Sequence, residues 1–306
     1  MRRFMFAALL CLAPAIGYGQ PFNVPAPFLL PNRAVSGPVV YTGPGDIVST
    51  WTMWFGSRAY SSATRGNKIW NMCEPTNTTC ADISTSATTG YPVVGTIGAT
   101  NCGSSTTCTI KTWYDLTGNG NDRTQTTAAN RFTYNATALN GNACGVAAGS
   151  VTGYPTSSAG GTDIVQPYTV SFVAERTGSL TTVQYIMSST SSGNFDAQIN
   201  FAGTAAIQSY SGQGANFIQV SAADNAPHTT LAVLNTTSSK LSIDGATAAT
   251  GDTGTAPTST NMGIGKNPAN PGNNLVGVFC EGGVAPSAVS AQTTALYSNQ
   301  HTAYGF

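Results

Sequence analysis

Charge is scarce in this sequence. Of 306 residues, 12 are Lys or Arg and 12 are Asp or Glu, 8% in all, with a formal net charge of +0. No basic stripe exists, which excludes the electrostatic footprint of a nucleic-acid-binding surface. Histidine occurs only at His228 and His301, and no C-x2-C pair is present, so the donor pattern of structural zinc is missing and no metal site is expected. Beyond the first twenty residues, no stretch approaches the ~20 apolar residues that cross a bilayer, so no membrane span is expected. G-x-S-x-G, P-loop and H-E-x-x-H motifs are absent, and the chemistries they mark go with them. No fixed-period repeat is found, which removes solenoids and propellers.

What is abundant is Gly (34), Pro (16) and small polar residues, beside 41% hydrophobic residues. That is apolar content enough for a core, so the low charge does not read as disorder. Met1 to Gly19 reads as a secretory leader: Arg2 and Arg3, then the apolar run Phe4 to Ala15, then Gly17 and Gly19 before Gln20. Leu9-Leu10-Cys11 is set aside as a lipoprotein signal because Leu10 is bulky. Residues 20–36 hold Pro21, Pro25, Pro27 and Pro31 and read as an extended arm. Residues 37–306 then form one domain of a secreted, periplasmic or extracellular protein, and no feature sets its oligomeric state.

Without the leader six cysteines remain: Cys73, Cys80, Cys102, Cys108, Cys144 and Cys280. An even number in an exported chain implies three disulfides, with 15 possible connectivities. The spacing favours the local pairs Cys73–Cys80 and Cys102–Cys108, leaving Cys144–Cys280.

Short strand-like runs separated by turn signals dominate the domain. They are Tyr91–Gly95, Thr109–Tyr114, Tyr168–Glu175, Val183–Ser188, Ala197–Phe201, Ala206–Tyr210, Phe217–Ser221, Thr229–Leu234, Ser239–Asp244 and Leu275–Cys280. A further short strand is expected around Arg58-Ala59-Tyr60, and Cys73 to Thr89 should be a stapled loop. The alternation is clearest in Tyr168-Thr169-Val170-Ser171-Phe172-Val173, and the pattern as a whole predicts an all-β sandwich or barrel. His228 to Gly245 reads as a hairpin ending in Asp-Gly and is similar to that of concanavalin-like and laminin-G-like sandwiches. The expected architecture is therefore a two-layer β-sandwich of concanavalin-like jelly-roll type with few short helices. The one helix expected is Ser287–Ser298, capped by Ser287.

The most distinctive stretch is Cys102 to Gln125, CGSSTTCTIKTWYDLTGNGNDRTQ. Its Gly and Asn residues tolerate positive φ and its Asp and Asn side chains bond nearby backbone, which makes a compact turn after a strand. Asp115, Asn119, Asn121 and Asp122 have two readings: oxygen ligands for a structural Ca²⁺, or acceptors for the turn's own amides, the second being favoured. Trp51, Trp54, Trp70 and Trp113 read either as a sugar-stacking platform or as core. Asp163, Glu175, Asp196 and Asp244 read as solvated acids at strand ends, and His228 as a surface residue without an Asp or Ser partner.

The Cys102–Gln125 block resembles the signature of the arabinofuranosidase B family of secreted glycoside hydrolases, where a C-x4-C loop precedes an aromatic-YD-x-SGNGN turn. Tyr41-Thr42-Gly43-Pro44-Gly45-Asp46-Ile47 is similar to the family's GPCDIY, with Gly45 in place of cysteine, and Arg58-Ala59-Tyr60-Ser61 to its R-A-L-Y-S. Gly263-Ile264-Gly265 and Gly277-Val278-Phe279-Cys280-Glu281-Gly282 resemble its G-I-G and G-x-F-Y-E-G. The resemblance implies a concanavalin-like sandwich, no cofactor, a polysaccharide or glycan partner and retaining hydrolysis of terminal arabinofuranosyl residues. That reaction uses two carboxyl groups ~5–5.5 Å apart.

The family's nucleophile strand, I-M-V-D-M-E-N, is best matched by Ile218 to Asp224, which puts Ser221 and Ala223 at its acids and Asp224 one position late. Its acid/base slot falls on Asn267, and its adjacent cysteine pair on Ser188-Ser189. Asp224 and Glu281 are therefore the candidate catalytic acids, and Trp113, Asp115 and Asn119 the candidate sugar contacts. The alternative is a non-catalytic carbohydrate-binding or adhesion sandwich.

Overall fold

β-Branched and aromatic residues alternating with small polar ones make Tyr168–Arg176 a strand that is buried on both faces. The computed structural model describes residues 40–104, 107–148, 154, 163–177, 183–189, 195–201, 204–211, 216–223, 225–255, 258–259, 262–266 and 273–306. For 195–201, 204, 210, 258 and 259 it describes the backbone alone. Residues 1–39, where the leader and the Pro-rich arm are expected, lie outside that set, and Val40–Phe306 form one compact unit.

Two antiparallel sheets make the sandwich. Across the larger one the strands run Ala249–Gly251, Ser239–Ile243, Pro227–Leu234, Tyr168–Arg176, Gly277–Ala285, Asn142–Ala147, Thr133–Leu139, Thr109–Trp113, Lys68–Cys73 and Cys80–Ser84. Met53–Gly56 adds to Gly277–Ala285, with Phe55 opposite Gly282. The smaller sheet runs Ile218–Ser221, Thr204–Ser211, Phe195–Phe201, Gln184–Ser189 and Met262–Ile264. Between the sheets Val170, Phe172 and Ala174 pack with Ile186, Ile207 and Ile264. On the other face of the same strand Thr169 donates to Ser287 O (2.7 Å), Ser171 accepts from Gln300, and Val173 packs against Ala303 and Tyr304. A C-terminal helix thus covers the outer face of the larger sheet.

That helix is Thr293–Tyr304, preceded by a 3-10 turn at Ser290–Gln292 and closed by Gly305 at φ 73°. It begins later than the expected Ser287, whose carbonyl is engaged by Thr169, and it continues to the left-handed cap that only the glycine supplies cheaply.

The three disulfides are Cys73–Cys80, Cys102–Cys108 and Cys144–Cys280, the pairing that the spacing favoured. Residues 73–89 are not all loop. Lys68–Cys73 and Cys80–Ser84 form a hairpin whose two cysteines sit directly opposite one another. No strand forms at Tyr91–Gly95, where Pro92 makes only an isolated bridge to Thr85; proline has no N–H for a ladder. Arg58–Tyr60 is irregular, and the strand lies just before it at Met53–Gly56.

All four tryptophans are core residues, Trp51 at 3% exposure and the others at 0%. Trp113 lies edge-on to Trp70, Tyr154 and Phe279 at centroid distances of 5.4, 6.3 and 5.3 Å. Its indole face is therefore unavailable to sugar, which corrects the expected sugar contact. Among the described residues no helix is long and apolar enough to cross a membrane.

Candidate functional site

The WYDLTGNGND segment leaves the strand Thr109–Trp113 and folds around one carboxylate. Asp115 Oδ1 accepts from Trp54 N (3.2 Å), Thr117 N (3.1 Å) and Thr117 Oγ1 (2.7 Å). Its Oδ2 accepts from Asn121 N and Asn121 Nδ2, both at 3.0 Å, and Asp122 Oδ1 accepts from Asp115 N at 2.8 Å. Gly118 and Gly120 sit at φ 84° and 79°, where any side chain is strained. Asp115 is thus a hub for the turn's own donors rather than an arm toward a ligand. Among the described residues no group of three or more His, Cys, Asp or Glu converges as a metal site.

Beneath the turn lies Arg123, with no solvent exposure. Its Nη1 donates to Asn121 O (2.5 Å) and Asp122 O (3.0 Å), and its Nε to Met262 O in the smaller sheet. The guanidinium stands 5.4 Å from the Phe55 ring centroid, and burial pulls its pKa down to about 10. One arginine therefore ties the turn to the strand that leads into Gly263-Ile264-Gly265.

The outer side of the turn opens on a cleft of about 390 Å³. Thr52, Asn119, Asn121, Asp163, Ile164, Val165 and Pro286 line it. The volume falls within the ~300–1,000 Å³ of small-molecule sites. Asn119 Nδ2 and Asn121 Nδ2 both donate to Thr52 O, at 2.9 and 3.0 Å, which fixes the two amides along the rim. Of the other lining residues Asp163 and Val165 are exposed. Asn119 was expected from the sequence; Asp163 was set aside as a solvated acid, and only the fold brings it to the turn. A second groove of about 320 Å³ lies between Lys240, Ser242 and Thr247 and the start of the C-terminal helix, and none of the described residues lining it is an acid.

Glu281 is fully enclosed. Its Oε2 and Oε1 take Arg58 Nε and Nη2 at 2.8 and 2.9 Å, and Oε2 also accepts from Tyr304 at 3.2 Å. Side-chain exposures of 2% for Arg58 and 0% for Glu281 leave no route to a glycosidic bond. Burial works to lower the Arg58 pKa, but the Glu281 charge and hydrogen bond outweigh it and the pKa is raised. The candidate acid Glu281 is thus an element of structure. It joins the Arg58-Ala59-Tyr60 segment to the Gly277–Gly282 segment, a partnership that no local motif announced.

At the positions that resemble the family's acids, Ala223 is exposed, and Asp224 and Asn267 lie outside the described residues. Ser188 is buried and donates to Lys266 O. His228 is not a free surface residue: it is 7% exposed, with Nδ1 2.6 Å from Asp244 Oδ2 and Nε2 2.7 Å from Ala223 O. Burial favours the neutral ring, yet the hydrogen bonds to Asp244 and Ala223 win and the His228 pKa is raised. Asp244, at φ 52° in the hairpin turn, also accepts from Thr229 N at 3.0 Å.

No protein-family model matches the sequence, and no curated protein matches it significantly. Solved structures do. A mutant GH54 α-L-arabinofuranosidase soaked with 4-nitrophenyl α-L-arabinofuranoside superposes with a TM-score of 0.66 at 17% identity, over 86% of this chain and 66% of that one. An arabinofuranosidase complexed with arabinofuranosyl-α-1,2-xylobiose gives 0.64 at 18% identity, over 86% and 65%. This chain thus spans about two thirds of the length of those enzymes. At such identity the likeness establishes the architecture: this chain has the β-sandwich fold of glycoside hydrolases similar to GH54 arabinofuranosidases.

Proposed function

We propose that this chain is an exported carbohydrate-active protein that engages polysaccharides bearing arabinofuranosyl residues, and that it does so in the cleft at the GNGN turn. The observation that carries the reading is the cleft itself: two fixed side-chain amides and a carboxylate line one sugar-sized space together with apolar Ile164, Val165 and Pro286. Fixed hydrogen-bonding groups beside apolar surface are what a sugar requires, since its hydroxyls and its C–H faces are both presented. The fold shared with arabinofuranosidases supports the same substrate class. Three disulfides and the leader-like residues 1–19 support export to an oxidising compartment.

Hydrolysis is the second reading, and the shared fold favours it. It requires two carboxyl groups ~5–5.5 Å apart if configuration is retained. Among the described residues lining the cleft Asp163 is the one acid, so the described lining supplies one of the two carboxyl groups that the reaction needs. Binding needs no second acid. Depletion of the protein from solution by insoluble arabinoxylan, but not by cellulose, tests the binding reading. Release of nitrophenol from an α-L-arabinofuranoside, lost in Asp163→Asn, tests hydrolysis in the cleft. Neither depletion nor release would contradict both.

A further inference from the structure

We propose that the cleft at the GNGN turn selects neutral, hydroxyl-rich sugars and turns away acidic ones such as uronates. This rests on the reading of the cleft as the glycan site and adds its chemical specificity.

The argument is an account of donors. Asn119 Nδ2 donates to Thr52 O and, at 3.5 Å, to Trp51 O, and Asn121 Nδ2 donates to Thr52 O and Asp115 Oδ2. Their backbone N–H groups are turned back into the turn, to Thr117 Oγ1 at 3.4 Å and Asp115 Oδ2 at 3.0 Å. What each amide has left to offer is its Oδ1, an acceptor, which carries no hydrogen bond among the described residues. The Asp163 carboxylate also lines the cleft, exposed and likewise acceptor-only when ionised. Among the described residues of the lining, the Thr52 hydroxyl is the one other side-chain donor, and none is Lys, Arg or His.

The nearby charges point the same way. Asp115 and Asp122 lie in the turn itself, and the one guanidinium beneath it, Arg123, is buried and directed at the carbonyls of Asn121, Asp122 and Met262. A surface of acceptors with a net negative charge is complementary to hydroxyl donors, and adjacent sugar hydroxyls match the two oxygens of a carboxylate. A ligand carboxylate entering the same space meets a like charge and acceptors, with no cation among the described lining residues to pair with. Among the described residues no aromatic ring lines the cleft, so stacking from them does not override these polar preferences.

The test is an NMR titration of the folded protein with a linear arabino-oligosaccharide and with an oligogalacturonide of the same length. It is done on the parent chain, on Asp163→Asn and on Asp163→Lys. Asp163 is exposed, so both variants should keep the parent fold, checked by their amide spectra. The expected result is at least tenfold tighter binding of the neutral oligosaccharide by the parent, with shifts at 119–121 and 163–165. Asp163→Asn should weaken it about tenfold, and Asp163→Lys should reverse the preference. Equal binding of both sugars at those residues would overturn the specificity while leaving the cleft as the glycan site. No binding, or shifts confined to other residues, would overturn the cleft reading itself.

Discussion

Replacing Glu281 by Gln separates structure from chemistry most sharply. The substitution keeps the shape but leaves the Arg58 guanidinium, 2% exposed, without its counter-charge. Both short contacts, 2.8 and 2.9 Å, lose their ionic character, as does the 3.2 Å bond from Tyr304. Arg58 would keep Asn299 Oδ1 at 2.6 Å, which supplies a hydrogen bond but no charge. Breaking one side of a buried pair costs ~3–5 kcal/mol, because the remaining charge is uncompensated. For a domain of this size that is a fall of ~6–20 °C in Tm. Guanidinium denaturation followed by tryptophan fluorescence measures it directly, since Trp54 is buried in the neighbouring strand. The double variant Arg58→Met/Glu281→Gln should lose clearly less than the sum of the two single changes, because no orphan charge remains. Unchanged stability in Glu281→Gln, together with loss of glycan binding or turnover, would refute the reasoning and return Glu281 to the reacting groups.

Three other outcomes follow from particular contacts. Asp115→Asn sets an amide NH₂ against several donors and should cost ~2–4 kcal/mol, with faster amide exchange across 115–122 and weaker binding in the cleft. Removing Cys144–Cys280, which spans 136 residues, should cost about 5 kcal/mol, and removing Cys102–Cys108, spanning 6, about 2 kcal/mol; denaturant titration ranks them. The raised pKa of His228 means that its contribution is complete below its unfolded value near 6.5 and disappears as pH rises through the folded value. Stability should therefore decline on the alkaline side in the parent and stay flat there in His228→Gln; the same alkaline decline in both would exclude His228 as the cause.

Much of the sandwich was legible because its strands are short, β-rich and punctuated by Gly, Asn and Pro. Tyr168–Arg176 announced itself by alternation, and the hairpin from Pro227 to Ile243 by its closing Asp-Gly. The hairpin at Lys68–Ser84 did not, because its second strand is rich in polar residues and the disulfide, rather than an apolar face, marks its register. Helix Thr293–Tyr304 was misplaced at its start because Ser287 resembles a cap, while the sheet beneath determines where the chain turns helical.

The site was less legible, for a physical reason. Asp115 and Trp113 stood out because they belong to the distinctive turn, yet that turn uses the first as its hub and the core encloses the second. Asp163 and the pair Arg58–Glu281 owe their roles to neighbours distant in sequence. No local pattern encodes such partners, because the strand order of the sheets decides them.

The central claim, a glycan held in the cleft at the GNGN turn, is tested most directly by mapping amide shifts as soluble arabinoxylan fragments are added. The account predicts saturable shifts clustered at Thr52, Asn119, Asn121 and Asp163 to Val165. Saturable shifts that leave those residues untouched, or none at all, would contradict it.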